Sequence, residues 1–508
     1  MRQSECVKGF RKPATTSRAA DVARSRRRDY VLGSRESRSD FSDVFIIFLH
    51  REIAGRSIAR KEKRAGRDEG GEGRSPRLKS ERLVLLRIFP GSFGKPNYDL
   101  VQDKDGAKHW KRVEIKLEDH IKIPSYPEGL SLESYDHYFN DYLTKLAMEP
   151  LPQTKPLWEI HIIKYPTSNA SSNMVFKLHH ALGDGYSLMG ALLSCLQRAD
   201  NPSIPLTFPN LSKTLQPENK VKRLVSVVPQ ALTGAFHTVL DFGWSILKGS
   251  FLEDGLSPIH YGEGGVEFRP VNITTLKFSL NQIKQVKSCL QATINDVVSG
   301  MIFLGTRLYM EETCEKSRNA RFTALVVLNT RSVGGYKSLH ELNQNQEVRR
   351  LWGNHCTFLH ISLQKLHQND EPLNPLKYVQ ETQNSIKRKR NSSTVFLNAM
   401  LLESLRKYRG PEEAAKFFHS TMKNSSILLS NVIGPLEKMT LSNQHVKGLY
   451  FTGVTFPQSL TVTIISYMDQ LRVAVAAEKD FIDHVKFRTC IENAFSMIFD
   501  AAVNRILT

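Results

Sequence analysis

The sequence lacks several patterns that identify particular classes of protein. Its six cysteines show no CxxC spacing, so they predict neither a zinc site nor a disulfide framework and are typical of reducing surroundings. The absence of an internal repeat and of a GxGxxG fingerprint argues against a solenoid and against a dinucleotide-binding domain. Because no aromatic side chains are interleaved with the basic ones, and no nucleic-acid reader motif is present, nucleic acid is not expected as a partner.

The chain is long, and its positive charge is unevenly distributed. With 508 residues, 40% of them hydrophobic, it can form two domains with sizeable cores. The formal net charge is +19, and residues 1–82 carry 22 Lys and Arg against 12 Asp and Glu. The remainder is therefore only moderately basic, which suits an anionic substrate or an anionic membrane surface.

Residues 1–82 differ in composition from the rest of the chain. They are rich in arginine, serine and glycine, which predicts a basic and mostly disordered segment. Their one apolar run, Val44–Leu49, is too short and too far from the N-terminus for a signal peptide. We therefore expect the globular part of the chain to begin at Leu83.

Hydrophobic periodicity predicts mixed α/β structure after this segment. Alternating apolar residues indicate strands, and apolar residues at a spacing of three or four indicate helices. Strands are predicted at Trp158–Lys164, Asn173–His179 and Phe322–Leu328, and helices at Ser134–Ala147 and Ile294–Glu312.

The most informative stretch is Met174–Gly190, where a predicted strand runs into a turn and then into a helix. Leucines at helical spacing predict this helix over Tyr186–Arg198. The turn begins with two adjacent histidines, His179 and His180. Neighbouring side chains of a strand point to opposite faces, so the two imidazoles cannot both face one cleft unless the strand has ended. We predict that one of them is a general base and that the other packs against or supports the turn.

The same turn contains a Gly-Asp-Gly sequence. Gly183 and Gly185 are predicted to adopt unusual backbone dihedrals. The Asp184 carboxylate either orients the imidazole or holds the loop through an arginine elsewhere in the chain. The structural alternative is a pair of ordinary histidines at a strand end, followed by a common Asp-Gly turn.

Five motifs in a fixed order resemble a known family. His179–Gly185 fits the HHxxxDG motif of the CoA-dependent acyltransferase superfamily, which includes chloramphenicol acetyltransferases, peptide-synthetase condensation domains and the plant BAHD acyltransferases. The other four motifs are Pro156-Leu157-Trp158-Glu159, Ala292-Thr293-Ile294-Asn295-Asp296-Val297, Asn329-Thr330-Arg331 and Ser430-Asn431-Val432-Ile433-Gly434-Pro435. Together they resemble the plant-type branch of the wax ester synthase/diacylglycerol acyltransferase family from about Leu83 to the C-terminus.

The resemblance implies a fold and a domain division. The expected fold is α/β, with two domains of the chloramphenicol acetyltransferase type and a channel between them. We expect an N-terminal acyltransferase domain at residues 83–215, a crossover segment at residues 216–265 and a C-terminal acyltransferase domain at residues 266–508. Acyl-CoA is then a substrate, and neither a cofactor nor a metal is implied.

The resemblance also implies a reaction. His180 in the channel would take the proton of a fatty alcohol or of diacylglycerol while the acceptor oxygen attacks the acyl-CoA thioester. His179 would support this base, and Asp184 would hold the loop, with Arg331 as the candidate partner of its carboxylate. The products would be a wax ester or triacylglycerol.

Asn295 and Asp296 are implied to lie near the channel. Asn295 is a candidate for stabilising the oxyanion of the tetrahedral intermediate. A purely structural role for Asp296 is equally open, because acidic groups are favoured in the first turn of a helix and Thr293 precedes this one as a cap.

The crossover segment contains an apolar stretch, Leu224–Leu247, of about the length that spans a bilayer. Asp241 lies within it, and an aspartate is costly in hydrocarbon. We therefore predict an interfacial or substrate-gating helix, while an ordinary helix between the domains remains equally open. The membrane surface is an expected partner, at the cytosolic face of the endoplasmic reticulum and/or the plasma membrane.

Two other functions fit parts of the sequence. One is a BAHD-like enzyme that acylates a soluble alcohol or amine, although its C-terminal DFGWG motif is absent. The other is a catalytically inactive, membrane-associated protein that binds lipid or CoA, which the atypical N-terminal segment suggests.

Overall fold

The computed structural model describes residues 44–51, 98–102, 108–208, 238–331, 336, 351–362 and 373–507. These residues form a seven-stranded sheet, a six-stranded sheet and a two-stranded ribbon, with helices packed around them. The strands are β1 (Val44–Arg51), β2 (Tyr98–Gln102), β3 (Lys108–Arg112), β4 (Ile121–Lys122), β5 (Trp158–Ile163), β6 (Ser172–His179), β7 (Gln197–Arg198), β8 (Val271–Ser279), β9 (Thr323–Asn329), β10 (Cys356–Ser362), β11 (Ile427–Val432), β12 (Met439–Leu441), β13 (Gln444–Val454), β14 (Leu460–Tyr467) and β15 (Gln470–Glu478).

The helices lie mostly in the second half of the chain. One further helix occupies residues 238–250 and is named here by those numbers. The others are α1 (Leu117–His120), α2 (Leu132–Met148), α3 (Gly185–Leu193), α4 (Leu280–Leu290), α5 (Ile294–Thr313), α6 (Pro375–Asn391), α7 (Thr394–Tyr408), α8 (Pro411–Lys423) and α9 (His484–Leu507).

The five elements predicted from periodicity are present, with ends shifted by a few residues. The Thr293 hydroxyl accepts a hydrogen bond from the Asp296 amide, and the Asp296 carboxylate accepts one from the Thr293 amide. This reciprocal capping box fixes the start of α5. It confirms the structural interpretation of Asp296.

The first sheet has the order β4-β5-β6-β1-β13-β12-β7. Its strand β1 pairs antiparallel with both β6 and β13. The prediction that residues 1–82 are disordered is therefore wrong for Val44–Arg51, whose apolar side chains Ile46–Leu49 are buried. The run is too short to indicate its partners, and its position is decided by two distant strands. The rest of residues 1–82 lies outside the described residues.

The predicted domain division also needs a correction at the sheet level. Strands β12 and β13 lie in the range assigned to the C-terminal domain, yet they complete the first sheet beside β1 and β7. Pairing between distant strands leaves no local sequence signal, so the chain order did not reveal this exchange. The N-terminal sheet is consequently built from three separate parts of the chain.

The second sheet has the order β10-β9-β11-β14-β15-β8. One face packs on the buried helix α5 and on α9, which form the centre of the larger apolar core. At Gly305 an added Cβ would lie 2.5 Å from Ile491 Cδ1 and 2.8 Å from Ile491 Cα. This close approach of α5 to α9 requires glycine.

The helix at residues 238–250 has its polar side turned inward. The buried Asp241 carboxylate lies 3.2 Å from Lys389 Nζ, and the buried Lys248 Nζ donates to Asp254 at 2.6 Å. The apolar side chains exposed on the helix and just after it are Val239, Leu240, Trp244, Leu247 and Phe251. Among the described residues, no helix has both the length and the apolar character needed to cross a bilayer. Residues 224–237 of the predicted apolar stretch lie outside this description.

Four of the cysteines, Cys195, Cys289, Cys356 and Cys490, are free thiols. Within the described ranges, no group of three or more His, Cys, Asp or Glu side chains is arranged to hold a metal ion.

Candidate active site

The predicted strand-turn-helix arrangement is present at the two histidines. Strand β6 ends at His179, a short 3₁₀ turn covers His180–Leu182, and α3 begins at Gly185. The helix is shorter than its leucine spacing predicted, because the chain turns at Ser194 and forms β7 against β12. The turn therefore lies at the end of β6, which is an inner strand of the first sheet, between β5 and β1.

The two histidines have different roles in the turn. His179 Nδ1 accepts a hydrogen bond from the Ala181 amide at 3.0 Å, so this ring caps the turn. His180 lines a cavity between the two halves of the chain, together with residues of β9, β10 and β11. The prediction that one histidine supports the turn while the other faces a cleft is met by this geometry.

Burial lowers the pKa of the His180 imidazole below its usual value. The nearby Asp184 carboxylate and hydrogen bonds from its surroundings act in the opposite direction, but the loss of hydration is the larger effect. Since the charged form is disfavoured, the ring is neutral at pH 7 and can accept a proton.

The predicted ion pair between Asp184 and Arg331 is confirmed. Arg331 Nη1 and Nη2 donate to the two Asp184 carboxylate oxygens at 2.7 and 3.0 Å, and both side chains are almost fully buried. Asp184 also accepts from the amides of Ser187 at 3.1 Å and of His355 at 2.9 Å. A bidentate pair with additional backbone donors fixes the loop geometry. Of the two predicted roles of Asp184, the structure shows the second: the carboxylate holds the loop through an arginine.

The two glycines of the turn differ in backbone conformation and in surroundings. Gly183 has φ +157°, and an added Cβ would lie 2.9 Å from Ser187 Cβ, so a side chain would push the turn away from α3. Gly185 is the first residue of α3 and has helical geometry; the prediction of an unusual dihedral is wrong there, because the turn has already ended. Gly185 instead lines the cavity.

The segment Trp352–His355, which precedes β10, holds the histidine turn from the other domain. Trp352 Nε1 donates to the Leu182 carbonyl at 2.8 Å. The Gly353 carbonyl accepts from Ser187 Oγ and from Arg331 Nη2 at 3.1 and 2.7 Å. Sequence reasoning missed this segment because its four residues have no periodicity, and their contacts are about 170 residues away in the chain.

The Asn295 side chain contributes indirectly to the site. It is not among the residues that line the cavity, but its Oδ1 accepts from Nδ2 of Asn431, a lining residue, at 3.0 Å. Asn295 is therefore in contact with a residue of the cavity lining, which fits the implied position near the channel. Its candidacy as the oxyanion donor stays a prediction.

The cavity has a volume of about 200 Å³ and is formed by both halves of the chain. Polar side chains that line it include His180, Asp184, Asn329, Ser430 and Asn431. Its apolar lining includes Phe358, Phe418, Met422, Leu428 and Phe456. These five apolar side chains belong to a small separate hydrophobic cluster. The cavity thus combines polar side chains, His180 among them, with an apolar part, here called the apolar chamber.

Two solved structures show a similar fold. One is a wax ester synthase/diacylglycerol acyltransferase from Marinobacter aquaeolei VT8, with a TM-score of 0.53 and 15% identity over 94% of this chain and 98% of that chain. The other is the first condensation domain of the CDA synthetase, with a TM-score of 0.52 and 10% identity over 91% of each chain. The fold is that of the two-domain CoA-dependent acyltransferases.

Sequence comparison places the chain within this class. Residues 106–298 match the wax ester synthase/diacylglycerol acyltransferase catalytic domain, and residues 352–499 match the WS/DGAT C-terminal domain. The chain is 28% identical over 415 residues to wax ester synthase/diacylglycerol acyltransferase 9 of Arabidopsis thaliana, covering 77% of this chain and 83% of the relative. It is 27% identical over 429 residues to number 4 of the same series, covering 80% and 81%. The chain belongs to the wax ester synthase/diacylglycerol acyltransferase family, and it is an acyl-CoA-dependent O-acyltransferase.

Proposed function

We propose that this enzyme transfers a long-chain fatty acyl group from acyl-CoA to the hydroxyl of a long-chain alcohol, of diacylglycerol, or of both. The observation that supports this most directly is the position of His180, which lines a cavity that also contains the apolar chamber. Transfer to a long-chain alcohol gives a wax ester, and transfer to diacylglycerol gives triacylglycerol.

His180 acts as the general base. Its imidazole removes the hydroxyl proton while the acceptor oxygen forms a bond to the thioester carbon, giving a tetrahedral oxyanion. When the oxyanion collapses, the carbon–sulfur bond breaks and CoA leaves as a thiolate, which takes the proton back from the imidazolium. Thiolate is a good leaving group because thiol pKa values lie near roughly 8.5. Neither an acyl-enzyme nor a metal is part of this scheme.

The oxyanion needs hydrogen-bond donors in the cavity. Ser430 and Asn431 at the end of β11 line it on the side of the second domain. Asn295, which bonds to Asn431, then orients the donor and does not itself contact the substrate. His179 and Asp184 act through the shape of the turn.

The apolar chamber suits a hydrocarbon chain. The five side chains that form it are all apolar, so a soluble polar acceptor would lose hydration there and gain no hydrogen bonds in exchange. An alkyl chain gains from burial in the same place, at about 25 cal/mol per Å² of apolar surface. This favours a lipid acceptor over the BAHD-like alternative.

Membrane association is supported by the helix at residues 238–250. The charged side chains of this helix, Asp241 and Lys248, form buried ion pairs. Its apolar side chains Leu240, Trp244 and Leu247 are exposed to solvent, as is Phe251 just after it. Exposed apolar clusters of this kind mark interaction surfaces, and an amphipathic helix can lie in the membrane interface with its apolar face buried. We infer that this face contacts the membrane from which the lipid acceptor enters.

We further propose that the enzyme works on the cytosolic face of the endoplasmic reticulum and/or the plasma membrane. The excess of basic residues fits the anionic cytoplasmic leaflet. Fractionation of cells that express a tagged full-length chain would test this location, and recovery in the soluble fraction would contradict it.

The reaction is tested by turnover. The full chain is expressed in a yeast strain without neutral-lipid synthesis, supplied with fatty alcohol, and wax ester and triacylglycerol are extracted. His180→Ala should reduce product by about 10²–10⁴-fold, while His137→Ala, a change at an exposed histidine of α2, should have no effect. Absence of product from the wild-type chain would favour the inactive homologue.

A further inference from the structure

Two basic side chains lie next to each other on the second sheet. Arg472 of β15 is the direct cross-strand partner of Lys277 of β8, so both side chains are on the same face of the sheet. Arg472 is only 4% exposed, whereas Lys277 is exposed to solvent. Like charges directly opposite each other destabilise a sheet, so the stability of the sheet does not explain this pair.

The guanidinium of Arg472 lacks the partners that a buried charge requires. Its Nη1 atom is buried and has no hydrogen-bond partner, and no carboxylate among the described residues acts on its charge. An uncompensated buried charge is strongly destabilising. An anionic ligand would balance this charge and accept a hydrogen bond from Nη1.

Strand β13 of the first sheet leaves space for the guanidinium. At Gly448 an added Cβ would lie 2.5 Å from Arg472 Nη2, so a side chain at this position would displace the guanidinium. The register between β1 and β13 shifts at the same point, which makes Lys447 the extra residue of a bulge. Bulges redirect side chains and are frequent next to functional sites.

The first sheet also holds the ammonium group of the pair. Lys277 Nζ donates to Asn169 Oδ1, in the turn between β5 and β6, at 2.6 Å. Partial burial and the positive charges of Arg472, Lys447 and Arg488 lower the pKa of Lys277. These cations therefore repel one another, and a bound anion would relieve the repulsion.

The two groups suit a phosphate. A guanidinium binds phosphate oxygens through two parallel N–H groups, and an ammonium adds a compact charge. We propose that Arg472 and Lys277 form a binding site for a phosphate group, with Arg472 as its buried floor and Lys277 at its exposed edge.

The position of this site relative to the cavity indicates where the phosphate comes from. Arg472 pairs with Ile465 of β14, and Ile465 pairs with Val432 of β11, which lines the cavity. The basic pair is therefore on the same face of the sheet as the cavity lining, two strand spacings or about 10 Å away. In acyl-CoA the pantetheine arm separates the phosphates from the thioester, which fits a phosphate site beside the cavity. This assignment to CoA rests on the acyl transfer proposed above, whereas the phosphate site itself rests on the geometry of the basic pair.

The experiment measures binding to the full-length enzyme in detergent, without turnover. Calorimetry gives the Kd of CoA and of dephospho-CoA, which lacks the ribose phosphate, and the melting temperature is recorded with and without inorganic phosphate. Arg472→Met and Lys277→Gln should each weaken CoA binding by about 10-fold or more, because hydrogen bonds to charged groups are the strong ones. Lys316→Gln removes an exposed lysine after α5 and should have no effect.

The melting temperature separates ligand binding from a structural role of Arg472. Without ligand, Arg472→Met should melt at the same temperature as the wild type or higher, because an apolar side chain replaces an uncompensated buried charge. A lower melting temperature together with normal binding by Lys277→Gln would overturn the inference. The exposed position of Lys277 keeps the second variant informative if Arg472→Met does not fold.

The ligands distinguish the possible sources of the phosphate. Variants that weaken CoA binding but leave dephospho-CoA binding unchanged would assign the site to the ribose phosphate, and equal weakening of both would assign it to the diphosphate. Normal CoA binding with lost stabilisation by inorganic phosphate would support the site and overturn its assignment to CoA. Unchanged binding of CoA and of phosphate in both variants would overturn the inference. An enzyme that binds CoA in this way but makes no ester would contradict the proposed function alone.

Discussion

The buried pair of Asp184 and Arg331 is the part of the site whose loss can be estimated most directly. The Arg331 guanidinium donates to both Asp184 oxygens, to the Leu351 carbonyl at 2.6 Å and to the Gly353 carbonyl at 2.7 Å. Its charged group also lies over the Tyr186 ring, 4.6 Å from the ring centre. Arg331→Ala removes all these contacts and leaves the carboxylate with two backbone donors.

An unpaired buried charge of this kind costs about 3–5 kcal/mol of unfolding free energy. With an unfolding entropy of about 2.1 cal/mol/K per residue over a cooperative unit of roughly 250 residues, the melting temperature should fall by about 6–10 °C. Activity should fall further than the folded fraction, by about 100-fold, because a displacement of about 1 Å in the turn misplaces His180.

The assay compares melting temperature and turnover of the purified variants. Arg406→Ala is the matched control, since Arg406 forms an exposed ion pair with Glu403 on α7 and such pairs contribute about 0–1 kcal/mol. Arg331→Lys keeps the charge but loses the bidentate geometry, and we expect an intermediate effect. If Arg331→Ala lowered the melting temperature no more than Arg406→Ala, the pair would not hold the turn and the reasoning would be refuted.

Three further results are expected. The lowered pKa of His180 leaves the base unprotonated at neutral pH. The value of kcat/KM should therefore be constant near pH 7 and fall only as the pH drops below the ordinary imidazole pKa of about 6.5. A profile in which kcat/KM already falls at or above that pH would contradict this. Met422→Ala enlarges the apolar chamber and should shift product profiles toward longer or bulkier chains, as lipid mass spectrometry would show, whereas an unchanged profile would mean that the chain lies elsewhere. Asp254→Ala removes the carboxylate that accepts hydrogen bonds from Lys248 Nζ at 2.6 Å and from the Thr323 amide at 2.7 Å. Denaturant titrations should show an unfolding free energy lower by about 3–5 kcal/mol. A loss below about 1 kcal/mol would count against a structural role for this buried pair.

The sequence by itself determined the features that depend on neighbours along the chain. The alternation before His179 and the leucine spacing after it predicted the strand, turn and helix, because periods of two and 3.6 residues follow from backbone geometry. The cap of α5 at Thr293 could be read for the same reason. The partnership of Asp184 with Arg331 was inferred only as a candidate, from chemistry and the need to balance a carboxylate.

The tertiary structure decided the features that depend on distant parts of the chain. Val44–Arg51 is a central strand because β6 and β13 flank it, and nothing in its own six apolar residues identifies those neighbours. The contact of Asn354 with His180 joins residues 174 positions apart. The helix at residues 238–250 has the composition of an ordinary amphipathic helix, and only the packing shows that its polar side is the buried one. Local periodicity fixes which elements form, while long-range packing fixes which faces and side chains meet at the site.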